Sequence, residues 1–306
     1  MEDYNKIIES LGIKYNKSKN IKIIQSVSND NFYDVENTVF IVHNGELRFG
    51  SEKELVKKGD VLFLPGSRSV SIAYGNPSNS RNTSDAYINR KESFLQSIDY
   101  SEVENSNQEV FSYITFEAKV FDSVNFFASL DIPAFVINNK KIVSLIKTIL
   151  EEAESLDAGH ERVVKAATEY LVVEITRHII NNQLFVEKLA TNITYFKDPR
   201  LIDIFTYIRE NLQGDLSNMV LSEVANVSED YVGQYFKMLT GINPQDYIEY
   251  QRMEMAVNLL RTSKSSIREI GREVGYKDTA YFCRRFKMMF GIPAGKMRRR
   301  ESLMNI

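Results

Sequence analysis

A single cysteine and three histidines in 306 residues set the first limits. One thiol cannot close a disulfide within the chain, so a reducing, cytoplasmic setting is the simple expectation. Metal sites of the imidazole-rich kind need several convergent ligands, and His43, His160 and His178 are scattered, so no metal site is expected. No apolar run approaches the roughly 20 residues needed to cross a bilayer. The acidic start Met1-Glu2-Asp3 lacks the apolar segment of a secretory signal. No constellation of acid, base and nucleophile emerges either, so the chain reads as a non-enzyme without a cofactor.

What is present is an ordinary globular composition, 43% hydrophobic and 26% charged, in a length that accommodates two domains. The net charge of −3 conceals an asymmetry. Residues 200–306 carry 16 Lys and Arg against 13 Asp and Glu, and within them residues 252–306 carry 13 against 5. The surplus clusters at Arg284, Arg285, Lys287 and Arg298 to Arg300. Such a run is often only a solvated face, but phosphate attraction is its functional counterpart.

The chain also repeats itself. Phe236 to Ile242 reads Phe-Lys-Met-Leu-Thr-Gly-Ile, and Phe286 to Ile292 reads Phe-Lys-Met-Met-Phe-Gly-Ile; each copy is followed by a proline, Pro244 and Pro293. In the second copy Ile267, Ile270 and Val274 share one helical face, Ser266 and Glu269 have capping-box spacing, and Gly275-Tyr276-Lys277 is a turn. Asp278 then caps a second helix with the stripe Phe282, Phe286 and Met289. The first copy has Leu221, Val224 and Ala225, the turn Asn226-Val227, the cap Ser228, and the stripe Val232, Phe236 and Leu239. Helix, short turn, helix is the helix-turn-helix pattern. Asn243-Pro244 opens a helix between the copies whose apolar positions run to Leu260, about 25 Å at 1.5 Å per residue. A spacer of that order can set two reading helices in successive major-groove segments, which recur at roughly 34 Å. Asp198-Pro199 starts a further helix with Leu201, Ile204, Phe205, Ile208 and Leu212 on one face.

These residues carry a resemblance. Ala256-x2-Leu259-Leu260, Ile267-x2-Ile270, Val274-Gly275-Tyr276-x-Asp278 and Tyr281-Phe282-x3-Phe286-Lys287-x3-Gly291-x-Pro293 resemble the signature of the AraC/XylS family of bacterial transcription regulators. The likeness spans about 100 residues. Departures from the family pattern are Ser222 and Gly271 where alanine is usual, and Asn226 where glycine is frequent.

Upstream, Thr38 to His43, Glu46 to Phe49, Val61 to Leu64, Val70 to Tyr74 and Glu109 to Val120 read as strands, with turns at Asn44-Gly45, Gly59-Asp60 and Pro65-Gly66. Residues 1–36 give no clear pattern. Gly59-Asp60-x4-Pro65-Gly66 resembles the second motif of cupin barrels, and the family often carries such a barrel there. Residues 76–107 read as a long polar insertion, with a short helix near Phe94 to Ile98. From Lys140 the period becomes helical: Ile142, Leu145, Ile146, Ile149 and Leu150 give one helix, Asp157-Ala158-Gly159 breaks it, and a second runs from Val163 to Ile179. The second stripe is wide enough to be buried on more than one side.

The expected fold is therefore α+β in two domains. A cupin-like sensor barrel spans 1–135, a helical pair 136–190, a linker 191–197, and an all-α domain of two helix-turn-helix modules joined by a linking helix 198–306. Resemblance implies a cytoplasmic, sequence-specific regulator of double-stranded DNA, more often an activator. It further implies homodimerisation through the helical pair, contact with RNA polymerase, and modulation by a small molecule or partner at the barrel. No membrane partner is expected. The candidate DNA-binding residues are those facing away from the stripes: Asp230, Gly233, Gln234 and Lys237 in the first module, and Thr279, Ala280, Cys283, Arg284, Arg285 and Lys287 in the second. The Arg284 fork suits guanine O6 and N7, and Gln234 suits adenine. Arg285 and Lys287 suit phosphate. Rival readings are an effector-free regulator governed by protein contacts, a metal-free cupin enzyme with a regulatory domain, and a DNA-repair methyl acceptor. The last needs a reactive thiol in the N-terminal part, and the one cysteine is Cys283.

Overall fold

Short alternating apolar runs, broken where Gly, Asn or Pro interrupts pairing, make the first half of the chain sheet-rich. The computed structural model describes residues 5, 8–9, 11–66, 68–75, 94–120, 124–185, 199–240, 243–290 and 292–298. Contacts divide the chain into two compact units: one from residues within 12–119 and 125–186, the other from those within 187–306 with short pieces of 1–11 and 120–124.

The first unit contains β1 (Gly12–Ile23), β2 (Val27–Asp34), β3 (Asn37–Asn44), β4 (Leu47–Phe49), β5 (Glu54–Val56), β6 (Val61–Leu64), β7 (Arg68–Tyr74) and β8 (Leu95–Ile98). A short helix α1 (Tyr100–Val103) leads to β9 (Val110–Val120), β10 (Val124–Asn125), α2 (Phe126–Ser129) and β11 (Phe135–Ile137). The larger sheet runs β11-β6-β3-β9-β1-β8, with β10 on β9, and the smaller runs β2-β7-β4-β5. Among the described residues the strands thus form two open sheets, not one closed barrel. The sheets share a core: Ile21, Phe40, Val42, Leu62, Phe111 and Tyr113 of the larger meet Val27, Phe32, Leu47, Phe49, Val56 and Ile72 of the smaller. At Gly66 the chain passes so close that a Cβ would stand 2.2 Å from the Val35 carbonyl oxygen, which explains the glycine after Pro65.

Two long helices follow, α3 (Lys140–Glu154) and α4 (His160–Asn181), and pack on each other and on β1. Ile142, Ile146, Ile149 and Leu150 of α3, and Val164, Leu171, Val172, Ile175 and Ile179 of α4, are buried. Gly159, at φ 89°, breaks the chain between them.

Several sequence expectations change here. Residues 12–34, without a clear pattern in sequence, are the long strand β1 and its neighbour β2. Lys14, Lys17 and Lys19 interrupt alternation, and the register slips between Tyr15 and Lys17. The helix expected near Phe94 is the strand β8, held by pairing with β1. Most of the wide stripe of α4 is covered, but Val163 and Tyr170 are each 41% exposed, and Thr168, Glu174 and Thr176 are buried instead. Most of the expected polar insertion, residues 76–93, and the expected linker 191–197 lie outside the described residues.

His43 is a strand residue beside a turn, as its sequence position suggests. Its Nε2 stands 2.8 Å from Ser112 Oγ. Burial, and secondarily the Lys147 charge, lowers its pKa to about 4. The unfolded chain binds a proton near pH 6.5 and the folded chain does not, so stability falls as pH drops from about 6.5 towards 4. Discounted for partial exposure, the loss from pH 7 to pH 5 should be on the order of 1–2 kcal/mol. Denaturation midpoints of the parent and His43→Gln at both pH values test this. An equal pH sensitivity in the two proteins would contradict it.

Candidate nucleic-acid interface

The second unit is helical, and its helices follow from caps and apolar spacing. They are α5 (Pro199–Glu210), α6 (Asn218–Ala225), α7 (Glu229–Thr240), α8 (Pro244–Thr262), α9 (Ile267–Glu273) and α10 (Thr279–Phe290). Leu201, Ile204, Phe205 and Ile208 of α5 are buried. The Phe205 ring lies 5.6 Å from Phe236 of α7 and 5.0 Å from Tyr247 of α8. Pro244 sits in the first turn of α8, where its missing N–H costs nothing. Buried Tyr247, Ile248, Met253, Ala256, Val257 and Leu260 let α8 contact both α7 and α9. Arg252 on α8 donates from Nε to the Leu212 carbonyl at 2.9 Å and from Nη2 to that of Gly214 at 3.2 Å, fixing the segment after α5.

The α6–α7 and α9–α10 connections are built alike. After α6, the Asn226 N–H donates to Glu223 O at 3.2 Å and the Val227 N–H to Ser222 O at 3.0 Å. After α9, the Gly275 N–H donates to Arg272 O at 3.0 Å and the Tyr276 N–H to Gly271 O at 2.8 Å. Both are Schellman closures with a left-handed residue at the bend, Asn226 at φ 52° and Gly275 at φ 90°. Asparagine tolerates that region better than most side chains, so it replaces glycine in the first turn. It could not do so in the second: a Cβ on Gly275 would stand 2.7 Å from Leu212 O and 2.9 Å from the Arg252 guanidinium. The capping box of α9 is present, with the Glu269 N–H donating to Ser266 Oγ at 3.2 Å and the Ser266 N–H to Glu269 Oε2 at 2.7 Å. Asp278 Oδ1 accepts from the Tyr281 N–H at 2.7 Å and opens α10.

Both second helices bury one face. In α10, Phe282, Phe286 and Phe290 stack inward, with ring centroids 5.8 and 4.5 Å apart. Ala280, Arg284 and Lys287 are exposed, and Thr279 and Cys283 are half-buried. Arg285 is placed differently from the others. Its guanidinium forms a two-pronged ion pair with Glu249 of α8, which Tyr276 Oη also approaches at 3.4 Å. In α7, Asp230, Gln234 and Lys237 are exposed and Gly233 is half-buried. Gln234 and Lys237 hold the same places as Arg284 and Lys287, fifty positions earlier. Two residues not among the candidate DNA-binding residues occupy matching places as well: Tyr231 and Tyr281 are 44% and 47% exposed. Their signal was the spacing, each lying three residues before Gln234 or Arg284 and so on the same face. Arg298, part of the basic cluster, donates to the Ser265 carbonyl.

The charge is uneven between the two pairs. Arg268, Arg272, Lys277, Arg284 and Lys287 are all exposed on the second. The first exposes Glu223, Glu229 and Asp230 beside Lys237. A Cβ on Gly233 would meet only Asn218 Nδ2, at an ordinary 3.5 Å. Gly233→Ala should therefore stabilise the unit by about 0.5–1 kcal/mol through helix propensity. A thermal midpoint that stays level or falls would contradict this.

Among the described residues, no helix is long and apolar enough to cross a membrane, and no three His, Cys, Asp or Glu side chains gather as a metal-ligand set.

Comparison with known proteins agrees with this geometry. Residues 221–300 match a family described as a helix-turn-helix domain. A Haemophilus influenzae protein described as an uncharacterized HTH-type transcriptional regulator is 27% identical over 274 residues, 86% of each chain. The lactose operon transcription activator of Staphylococcus xylosus is 31% identical over 99 residues, 32% of this chain and 36% of that one. The raffinose operon transcriptional regulatory protein of Pediococcus pentosaceus is 30% identical over 136 residues, 40% of this chain and 49% of that one. The match thus spans less than half the length of these last two relatives. ToxT from Vibrio cholerae shares the fold over 95% of this chain and 98% of its own, with a TM-score of 0.53 at 10% identity. The C-terminal part of this chain thus carries a helix-turn-helix domain, and its relatives are transcription regulators.

Proposed function

We propose that the protein is a sequence-specific DNA-binding transcription regulator of the AraC/XylS type. The observation that carries this is the duplicated turn and helix. Two Schellman-closed turns lead into α7 and α10, and each helix offers Tyr, then Gln or Arg, then Lys at matching exposed places. In this reading the pairs are two helix-turn-helix modules, and α8, 19 residues or about 28 Å, sets their spacing along one DNA face. Arg284 and Gln234 read bases, Lys237 and Lys287 hold phosphate, and Asp230, Gly233, Thr279, Ala280 and Cys283 line the approach. Arg285 acts through Glu249, holding α10 to α8, and phosphate contact is secondary for it.

Residues 1–135, which hold both sheets except the end of β11, are read as a cupin-like sensor of a small molecule or partner. The helical pair 136–190 is read as a homodimer face, supported by the outward Val163 and Tyr170 of α4. The linker 191–197 then leads to the DNA-binding domain 198–306. Activation, with RNA polymerase as a partner, is the favoured direction because a relative is named as a lactose operon activator. A cytoplasmic location follows from this role. Coupling requires that effector and DNA each favour one of two states. The test is competition between a selected duplex and random duplex at physiological salt. A preference of roughly 10³-fold or more is expected, and equal affinity would refute the reading.

A further inference from the structure

The outer face of the larger sheet carries a polar relay that the regulator reading does not use. His43 is the extra residue of a bulge, because Val42 pairs with Phe111 and Asn44 with Val110. Bulges re-aim side chains, and here the imidazole meets Ser112 Oγ at 2.8 Å. Ser112 Oγ donates to Asn20 Oδ1 at 2.6 Å, and Asn20 Nδ2 donates to Glu154 Oε1 at 2.7 Å. The second oxygen of Glu154 accepts from the Tyr100 N–H at 2.6 Å. Ser112 and Asn20 are 0% and 2% exposed.

The direction of this relay is forced. A carboxylate only accepts, so Asn20 must turn its NH₂ to Glu154 and its oxygen to Ser112. The one Ser112 proton therefore goes to Asn20, and Ser112 must accept from His43 Nε2–H. The ring is fixed in the Nε2–H tautomer, and Nδ1 is left as the acceptor it offers its surroundings. Those surroundings are a cavity of about 380 Å³, lined by His43, Lys58, Tyr100, Val103, Glu104 and Lys147 among others. Lys147 Nζ and Glu104 Oε1 are 4.0 Å apart, with side chains 48% and 74% exposed, a weak pairing that a ligand can replace. Two ammonium groups, one carboxylate and one imidazole acceptor over a partly apolar wall form the pattern of few convergent polar groups that orients a small ligand.

We propose that this cavity binds a small hydroxylated oxyanion, a hydroxycarboxylate or polyol phosphate. Its charge sits between Lys58 and Lys147, and its hydroxyl donates to His43 Nδ1. The inference names a ligand class for the unit read above as a sensor. It rests on that reading for its regulatory meaning, but not for binding itself.

The experiment is a histidine-ring NMR titration of the full chain, with the His43 signals assigned through His43→Gln. The probes are glycerol 3-phosphate and lactate, with acetate and glycerol as controls. The expected result is a saturable shift of the His43 ring with at least one probe. It should be at least tenfold weaker for acetate and glycerol, and at least tenfold weaker in the K58Q/K147Q variant, whose exposed changes leave the core intact. No saturable His43 shift with either probe, or equal binding by the K58Q/K147Q variant, would overturn the proposal. So would acetate or glycerol binding as well as the probes. DNA affinity is measured on the same preparation. Lost sequence preference with intact probe binding would count against the regulator reading alone. Intact sequence preference without probe binding would count against this site alone.

Discussion

Phe286→Ala should cost about 3–5 kcal/mol, the usual range for removing a buried phenylalanine. Phe286 is fully buried, and its ring lies between those of Phe282 and Phe290. Deleting it leaves a cavity in the aromatic row on the buried face of α10. Against a total stability of roughly 5–15 kcal/mol for a domain, the C-terminal unit would be close to unfolding. Denaturant unfolding followed by circular dichroism should show an early transition in the variant, accompanied by lost DNA binding. Phe286→Leu, which retains most of the volume, should cost much less. An unfolding curve for Phe286→Ala that overlays the parent would mean that the aromatic stack does not hold the pair together.

Arg284→Ala should leave stability unchanged and cost roughly 1–3 kcal/mol of specific DNA binding, about 5- to 150-fold in affinity. The side chain is exposed on α10, and its guanidinium lies 6.0 Å from the centre of the Tyr281 ring. Gln234→Ala should cost less, because the first pair exposes Glu223, Glu229 and Asp230, which repel phosphate. Equal losses in a titration against one duplex would sink this ranking. Arg284→Lys is the informative companion: it keeps the charge and loses the fork, so it should retain the salt dependence while losing base discrimination.

The helical unit was legible because its signals are local. Gly275 at the bend, Asp278 at a helix start, and Ser266 with Glu269 each announce a backbone geometry within three residues of themselves. The repeat of Phe236 and Phe286 fixed which faces turn inward. What the sequence hid was tertiary. Arg285 has the spacing of a phosphate contact, but its partner Glu249 lies 36 positions away on α8. Arg252 reaches the segment after α5 across 40 positions. The strand β1 escaped notice because its lysines blur the two-residue period, and its place is set by pairing with β8 and β9. The strand β8 itself reads as a fragment of helix until β1 pairs with it. On α4, Val163 and Tyr170 fit an apolar stripe, yet both are exposed, since periodicity cannot say how many sides of a helix find a neighbour. The relay from His43 to Glu154 joins β3, β9, β1 and α3, and no local pattern could reveal it.

The most direct measurement is selection of duplexes from a random pool by the purified protein, across a salt series. The account predicts a motif with two reading segments about one helical turn apart, one stronger than the other. Arg284→Ala should erase the stronger segment and spare the weaker. Enrichment of no motif, with affinity that simply decays as salt rises, would contradict it and leave only phosphate attraction.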